Sequence, residues 1–335
     1  MSVYVIAEAG VNHNGDIEIA KKLVDMAKEC GANAIKFQTF KAEECSSFSA
    51  KKSQYQIENT CIGESQFDML KKLELPFERF RELKQYCSDK NIDFISTPDG
   101  IESLNFLLEL DVKIIKIGST EVTNPEFLKQ IASSGKSIIL STGMSYLDEV
   151  ENALNMIKST GNEDILVMQC TTDYPTDIKD VNLKAMITMK ENFDVEVGLS
   201  DHTLGFESAI SAVALGAKVI EKHITLDKNM DGPDHKASME PDDFKKYVQY
   251  IRNTELLLGD GIKKPTEREK IIMKDIRRSI VASRNLKKGS VITKEDVCYK
   301  RPGTGIKPEM VDSIIGKVIT KDILEDELIL WNDIL

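Results

Sequence analysis

Eight short runs of apolar, largely β-branched residues recur along the first two-thirds of the chain. They are Val3–Glu8 (VYVIAE), Ala34–Phe40 (AIKFQTF), Asp93–Pro98 (DFISTP), Ile114–Ser119 (IIKIGS), Ser137–Gly143 (SIILSTG), Ile165–Thr171 (ILVMQCT), Glu196–Asp201 (EVGLSD) and Val219–Thr225 (VIEKHIT). Their near-continuous apolar character marks strands buried on both faces, as in a parallel sheet. Amphipathic stretches lie between them. In DIEIAKKLVDMAKEC, residues Ile17, Ala20, Val24 and Ala27 share one face, and Asn14 or Asp16 is placed to cap the start. Gly31, Gly135 and Gly216 follow such stretches, where a left-handed residue ends a helix. Eight βα units within about 250 residues predict an α/β fold, a closed (β/α)8 TIM barrel. A doubly wound open sheet is the alternative, which the regularity of eight units disfavours.

Two segments break this rhythm. Residues 41–76 insert a long stretch between the second and third runs, and so long a loop in a compact domain is usually functional or a lid. A decorative surface insertion is the plainer reading. After Gly261 the pattern changes. The expected organisation is a barrel over residues 1–262, a charged linker with a helical piece over 263–278, and a small, mostly β unit over 279–335. That last unit carries a faint repeat, since Asn285–Val297 resembles Asp322–Ile334 in apolar spacing. Each half reads as a turn, a strand and a short helical turn. A unit this small has a marginal core, so docking or dimerisation is expected.

Composition narrows the functional classes. The 335 residues are 41% apolar, and the formal net charge of −11 argues against nucleic acid or an anionic membrane as partner. Six scattered cysteines, Cys30, Cys45, Cys61, Cys87, Cys170 and Cys298, form no CxxC pair and suit free thiols in a reducing compartment. The start resembles no signal peptide, and no apolar run reaches the roughly 20 residues that span a bilayer. A soluble cytoplasmic protein is expected.

A barrel of this kind carries its active site at the C-terminal ends of the strands. The polar residues there are Glu8, Lys36 and Gln38, Ser96 and Thr97, Lys116 with Ser119 and Glu121, Ser141 and Thr142, Thr171 and Thr172 with Tyr174, Ser200 with Asp201 and His202, and Lys222 with His223. Lys36 and Lys116 lie in apolar strands, where a lysine is costly unless paired. They form either internal salt bridges or two cations facing an anion, with Thr97, Ser119, Ser141 and Ser200 completing a phosphate and carboxylate site. Three of the four histidines fall within about forty residues. His202 and His223 end adjacent strands, where they either pack locally or share a divalent ion such as Mn²⁺, with Mg²⁺ or Co²⁺ as alternatives. Asp234 can orient a ligand or a metal-bound water. His235 is either solvated or part of the site, and His13 serves its Gly- and Asn-rich turn or the substrate.

These motifs, IAEAGVNHNGD, IKFQTFKA, FISTP, KIGSTE, ILSTGM, GLSDHT, EKHITLDKNMDGPDH and KRPGTGI, resemble the sialic acid synthases in order along nearly the whole chain. The C-terminal unit resembles that family's antifreeze-like (SAF) domain. The resemblance implies a transferase that condenses phosphoenolpyruvate with N-acetylmannosamine to give N-acetylneuraminate and phosphate. A 2,4-diacetamido-2,4,6-trideoxymannose leading to legionaminate is the alternative, and a pseudaminate synthase is less favoured. It implies that Lys36, Thr97, Lys116, Ser119, Ser141 and Ser200 hold phosphoenolpyruvate, that His202 and His223 bind the metal, and that Glu8 is a general base. Gln38, Tyr174 and Asp234 match sugar-binding positions, and Glu121 and Thr172 join the substrate-binding set. It further implies a domain-swapped homodimer in which Arg301 of one subunit contacts the sugar's N-acetyl group in the other. Thr172, Gln169 and the TPDG turn depart from the family pattern around the sugar pocket. A pyruvate-dependent metal aldolase would need no phosphate site, and an ice-binding face would not be as charged as NLKKGSVITKEDVCYKRPG.

Overall fold

The computed structural model describes residues 2–60 and 63–335, so Cys61 lies outside the described residues. All eight expected strands form: β1 (Tyr4–Gly10), β2 (Ala34–Phe40), β3 (Asp93–Asp99), β4 (Ile114–Ile117), β5 (Ser137–Ser141), β6 (Ile165–Cys170), β7 (Glu196–Asp201) and β8 (Val219–His223). They are parallel and pair in sequence order, and β8 returns to β1, closing the barrel. The open-sheet alternative is thereby excluded. By contacts the chain divides into two compact units, Met1–Gly259 and Asp260–Leu335.

The helices form where the periodicity placed them. Helix Ile17–Glu29 starts at Asp16, whose side chain accepts from the Glu18 and Ile19 amides, and it buries Ala20, Val24 and Ala27. Gly31 ends it with φ +87°, a backbone state that a side chain would strain. Outward-facing strand residues such as Val5, Phe37, Ile115, Leu140, Val197 and Ile220 pack with the helices into one core.

Strand alternation builds the barrel interior in layers. Its floor is apolar: Ile6, Ala34, Ile95, Ile114, Ile139, Met168 and Val219. Two positions further along each strand, on the same face, stand Glu8, Lys36, Thr97, Lys116, Ser141, Cys170 and Glu221, with Ser200 above Gly198 on β7. One step of the strand period thus converts a sealed floor into a polar layer.

In the second unit, β9 (Ser279–Ala282) and β10 (Val297–Lys300) form an antiparallel pair. Helix Glu267–Ile276, capped by Thr266, lies within the expected linker. The faint repeat is structural. Asp296 accepts from the Thr293 amide at 2.9 Å and pairs with Arg284, while Asp333 accepts from the Leu330 amide at 3.1 Å and pairs with Lys321. The strand expected in each half is reduced to single bridges such as Leu286–Ile323 and Val291–Val318. So short a pairing leaves the fold to an isoleucine-rich core that includes Ile280, Ile292, Ile314, Ile323 and Ile329.

Candidate active site

A cavity of about 650 Å³ opens above the polar layer, at the C-terminal ends of the strands. Lys36, Gln38, Thr97, Lys116, Ser119, Glu121, Ser141, Thr172, Tyr174, Ser200, His202, His223 and Asp234 all line it. Glu8 sits just beneath, bound to Lys36. Arg301 belongs to the second unit, where it is exposed after β10.

The two lysines are ion-paired, as one reading of them expects, and they also line the cavity. Lys36 Nζ lies 2.9 Å from Glu8 Oε1 and 3.7 Å from Glu221 Oε1, and Lys116 Nζ lies 3.8 Å from the same Glu221 oxygen. Lys116 also donates to Ser141 Oγ at 2.6 Å, Lys36 to Thr97 Oγ1 at 3.3 Å, and Ser200 Oγ to Glu221 Oε1 at 3.1 Å. Burial disfavours every charge here, and position decides which survives. Glu221 faces both lysines, whose attraction outweighs its burial and holds its carboxyl below the ordinary range. Burial, with the Glu221 charge, pushes the Glu8 carboxyl up to about 7 against the pull of Lys36 and Lys116. Burial likewise pulls Lys116 down, whereas Glu221 and Glu8 offset it at Lys36 and keep that ammonium charged. Two lysines and two glutamates thus share this layer, and burial raises Glu8 while the lysines hold Glu221 down. Glu8 Oε2 and Glu221 Oε2 are buried with no hydrogen-bond partner among the described residues.

Across the mouth, the His202 and His223 rings lie 5.4 Å apart. Tyr174 packs on His202 at 4.2 Å and meets His223 edge-on at 5.7 Å. His202 Nδ1 is 2.7 Å from the Thr171 carbonyl oxygen. A carbonyl only accepts, so Nδ1 carries the proton; burial lowers this imidazole, but Cys170 and the Thr171 carbonyl outweigh it and raise it above the ordinary range. Burial, reinforced by His202 and Lys36, holds His223 well below the ordinary imidazole range, and its buried Nδ1 has no hydrogen-bond partner among the described residues. Gly10, where β1 bulges at φ +52°, keeps this corner open, because a Cβ there would lie 3.2 Å from Glu8 Oε1 and 3.6 Å from the His223 ring. In their neutral forms these two imidazoles fit one small divalent cation, which would leave other positions to water or substrate. Among the described residues no group of three or more His, Cys, Asp or Glu side chains is arranged to hold a metal.

The insertion lines the same mouth. Tyr55, in helix Gln54–Asn59, packs on Tyr174 at 5.1 Å, and Asn59 donates to the Pro233 carbonyl at 2.7 Å. Helix Gln66–Leu73 is anchored by Met69 and Leu73 against Val11 and Phe40. Among the described residues of the insertion, Glu44, Cys45, Tyr55, Gln56, Gln66, Met69, Leu70 and Leu73 line the cavity, so the insertion is not mere decoration.

Several residues read from the strand ends lie elsewhere. Asp201 and Lys222 point away from the cavity and pair with each other at 3.0 Å behind the barrel wall. His235 is not solvated: it is fully buried, with Nδ1 2.7 Å from Thr225 Oγ1. His13 is buried in its turn, where Nδ1 accepts from the Gly15 amide, and burial brings it down to about 4. Conversely, Glu221, Cys170, Asp99 and Tyr55 line the cavity and were not singled out. Burial pushes the Cys170 thiol up, but His202, whose Nδ1 lies 4.0 Å from Sγ, and Lys116 outweigh it and bring it to about 7. The available signal was strand parity: Glu221 is two positions before His223, and Cys170 two beyond Met168.

Comparison with known proteins places the chain in a family. Residues 23–263 match the NeuB family and residues 277–335 the SAF domain. The chain is 48% identical to the N,N'-diacetyllegionaminic acid synthase of Campylobacter jejuni, covering 97% of this chain and 98% of that protein. It is 44% identical to the enzyme of the same name from Legionella pneumophila, covering 100% and 95%. Among solved structures, an N-acetylneuraminic acid (sialic acid) synthetase from Leptospira borgpetersenii, in complex with citrate, aligns with a TM-score of 0.72 at 34% identity, covering 82% of this chain and 90% of that one. The chain belongs to the NeuB family, and it is an enzyme of the nonulosonic acid synthase class with a C-terminal SAF domain. Among the described residues no helix is long and apolar enough to cross a membrane.

Proposed function

We propose that the enzyme condenses phosphoenolpyruvate with 2,4-diacetamido-2,4,6-trideoxymannose, giving N,N'-diacetyllegionaminate and phosphate. The observation that carries the reaction is the buried polar layer: two lysines and the hydroxyls of Thr97, Ser141 and Ser200 converge on one cavity that Ser119 and the His202 and His223 imidazoles also line. Likeness supports the sugar. Identity is 48% and 44% to two diacetyllegionaminic acid synthases, against 34% to the sialic acid synthetase. N-acetylmannosamine, which the motifs alone favoured, becomes the second reading.

Lys36 and Lys116, with Thr97, Ser119, Ser141 and Ser200, hold the phosphate and carboxylate of phosphoenolpyruvate. His202 and His223 would hold a divalent cation, Mn²⁺ in this reading, which would supply Lewis-acid polarisation of the sugar aldehyde. The methylene carbon of phosphoenolpyruvate forms a bond to the aldehyde carbon, whose oxygen takes up a proton. Water then adds at C2, Glu8 accepts its proton, and the C2–O bond to phosphate breaks to leave the keto acid. Gln38, Tyr174 and Asp234 orient the sugar, with Glu121 and Thr172 at its edge. Arg301, supplied by a second subunit of a homodimer, contacts an N-acetyl group. The five described cysteines are unpaired, which supports a cytoplasmic setting.

The test is a comparison of kcat/KM for the two sugars at saturating phosphoenolpyruvate. Preference for the diacetamido sugar by tenfold or more is expected, and equal or reversed preference would return the assignment to N-acetylmannosamine.

A further inference from the structure

We propose that the Asp201–Lys222 ion pair is a positioning device that sets the spacing of His202 and His223. The inference rests on the metal reading above. Asp201 and Lys222 are register partners on β7 and β8, each one residue before one of the histidines. Strand alternation sends them out of the barrel while the histidines point in. Behind the wall they form a closed network. Lys222 Nζ lies 3.0 Å from Asp201 Oδ2 and also donates to the Thr203 carbonyl. Asp201 Oδ2 accepts from Tyr247 OH at 2.8 Å, and Oδ1 accepts from the Thr203 amide and hydroxyl at 2.9 and 2.7 Å. Tyr247 comes from the final barrel helix, Pro241–Leu258. All three side chains are at most 2% exposed.

Such a pair is weak evidence for stability, since apolar residues of similar volume often serve as well. What it does supply is geometry. It joins two strands at the last register position before the two histidines, and Thr203 fixes the backbone on the far side of His202. Beneath it, Gly198 and Val219 approach so closely that a Cβ on Gly198 would collide with the Val219 carbonyl. The pair of strands is thus held from below by backbone contact and from above by charge, which leaves the two imidazoles little freedom to part.

The experiment is titration of metal-stripped protein with Mn²⁺, read by the EPR signal of the free ion, with bound nitrogens counted by pulsed EPR. Asp201→Asn combined with Lys222→Met removes both charges and leaves none unpaired. It is expected to keep the native circular dichroism, to bind Mn²⁺ about tenfold more weakly, and to lose one of two imidazole couplings. Tyr247→Phe removes one hydroxyl, keeps the pair, and is expected to weaken binding two- to fivefold, so the proposal stays testable should the double variant unfold. Native affinity and two couplings in every folded variant would overturn the positioning role while leaving the metal site standing. Absence of Mn²⁺ binding in the unaltered protein would instead overturn the metal reading, and this proposal with it.

Discussion

Glu8 and Lys36 are register partners on neighbouring strands, and their side chains meet in a buried ion pair with 2.9 Å between Nζ and Oε1. Of the two glutamates in the layer, Glu8 has the weaker claim on the lysines. In the proposed mechanism Glu8 is therefore the carboxyl that exchanges a proton, while Glu221 stays the anion. A carboxyl raised by burial is a better base near neutral pH than an ordinary one.

Glu8→Gln should fold, because Lys36 keeps Glu221 as a counter-charge. Its kcat should fall by about 10²-fold or more, the usual worth of a positioned base. The base acts only when deprotonated, so wild-type kcat/KM should fall as pH drops through its raised pKa. That acid limb should lie above the ordinary carboxylate range and vanish in the variant. A pH–rate profile checks both, and an unchanged limb in Glu8→Gln would assign the base elsewhere.

Asp234 gives a stability prediction with a definite sign. Burial, opposed only by His202, raises its carboxyl from 3.8 to about 6. Between those values the unfolded chain binds fewer protons than the folded one, so stability falls as pH rises from about 4 to about 6. Asp234→Asn removes this loss. Thermal unfolding of the ligand-free protein should show the variant more stable at pH 8, by up to about 3 kcal/mol, and equal to wild type at pH 3.5 or below. Lower stability at pH 8 would mean that the carboxylate is paired in the folded state.

Arg301→Ala probes the second subunit's contribution. It should raise the sugar KM by about tenfold and leave the KM for phosphoenolpyruvate within twofold, as expected for loss of one charge-assisted contact. Steady-state kinetics with each substrate varied distinguishes this from equal effects on both, which would contradict the swapped arm.

The barrel was legible because its strands are buried on both faces, so each apolar run announced itself. The lysines were legible for the converse reason: Lys36 and Lys116 interrupt such runs. Residues whose role depends on facing were less so. Asp201, His202, Lys222 and His223 read alike as strand-end polar residues, and only the period of two separates the inward histidines from the outward ion pair. Glu221 was hidden by the same omission, sitting beside the more conspicuous Lys222. Tyr55 carries no local signal, since its place over Tyr174 depends on how a long insertion folds back. The loop sequence left His235 open between solvent and the site, and neither holds: it is buried, with Nδ1 2.7 Å from Thr225 Oγ1.

The most direct measurement is phosphate release from phosphoenolpyruvate by metal-stripped protein, with Mn²⁺ and the diacetamido sugar added singly and together, beside His202→Ala. Release is expected only when both are present, and it should fall below about 1% in the variant with its fold retained, since a metal ligand acts as one unit with its ion. Release without added metal, or near-normal release by His202→Ala, would contradict a reaction built on the two histidines above the lysine layer.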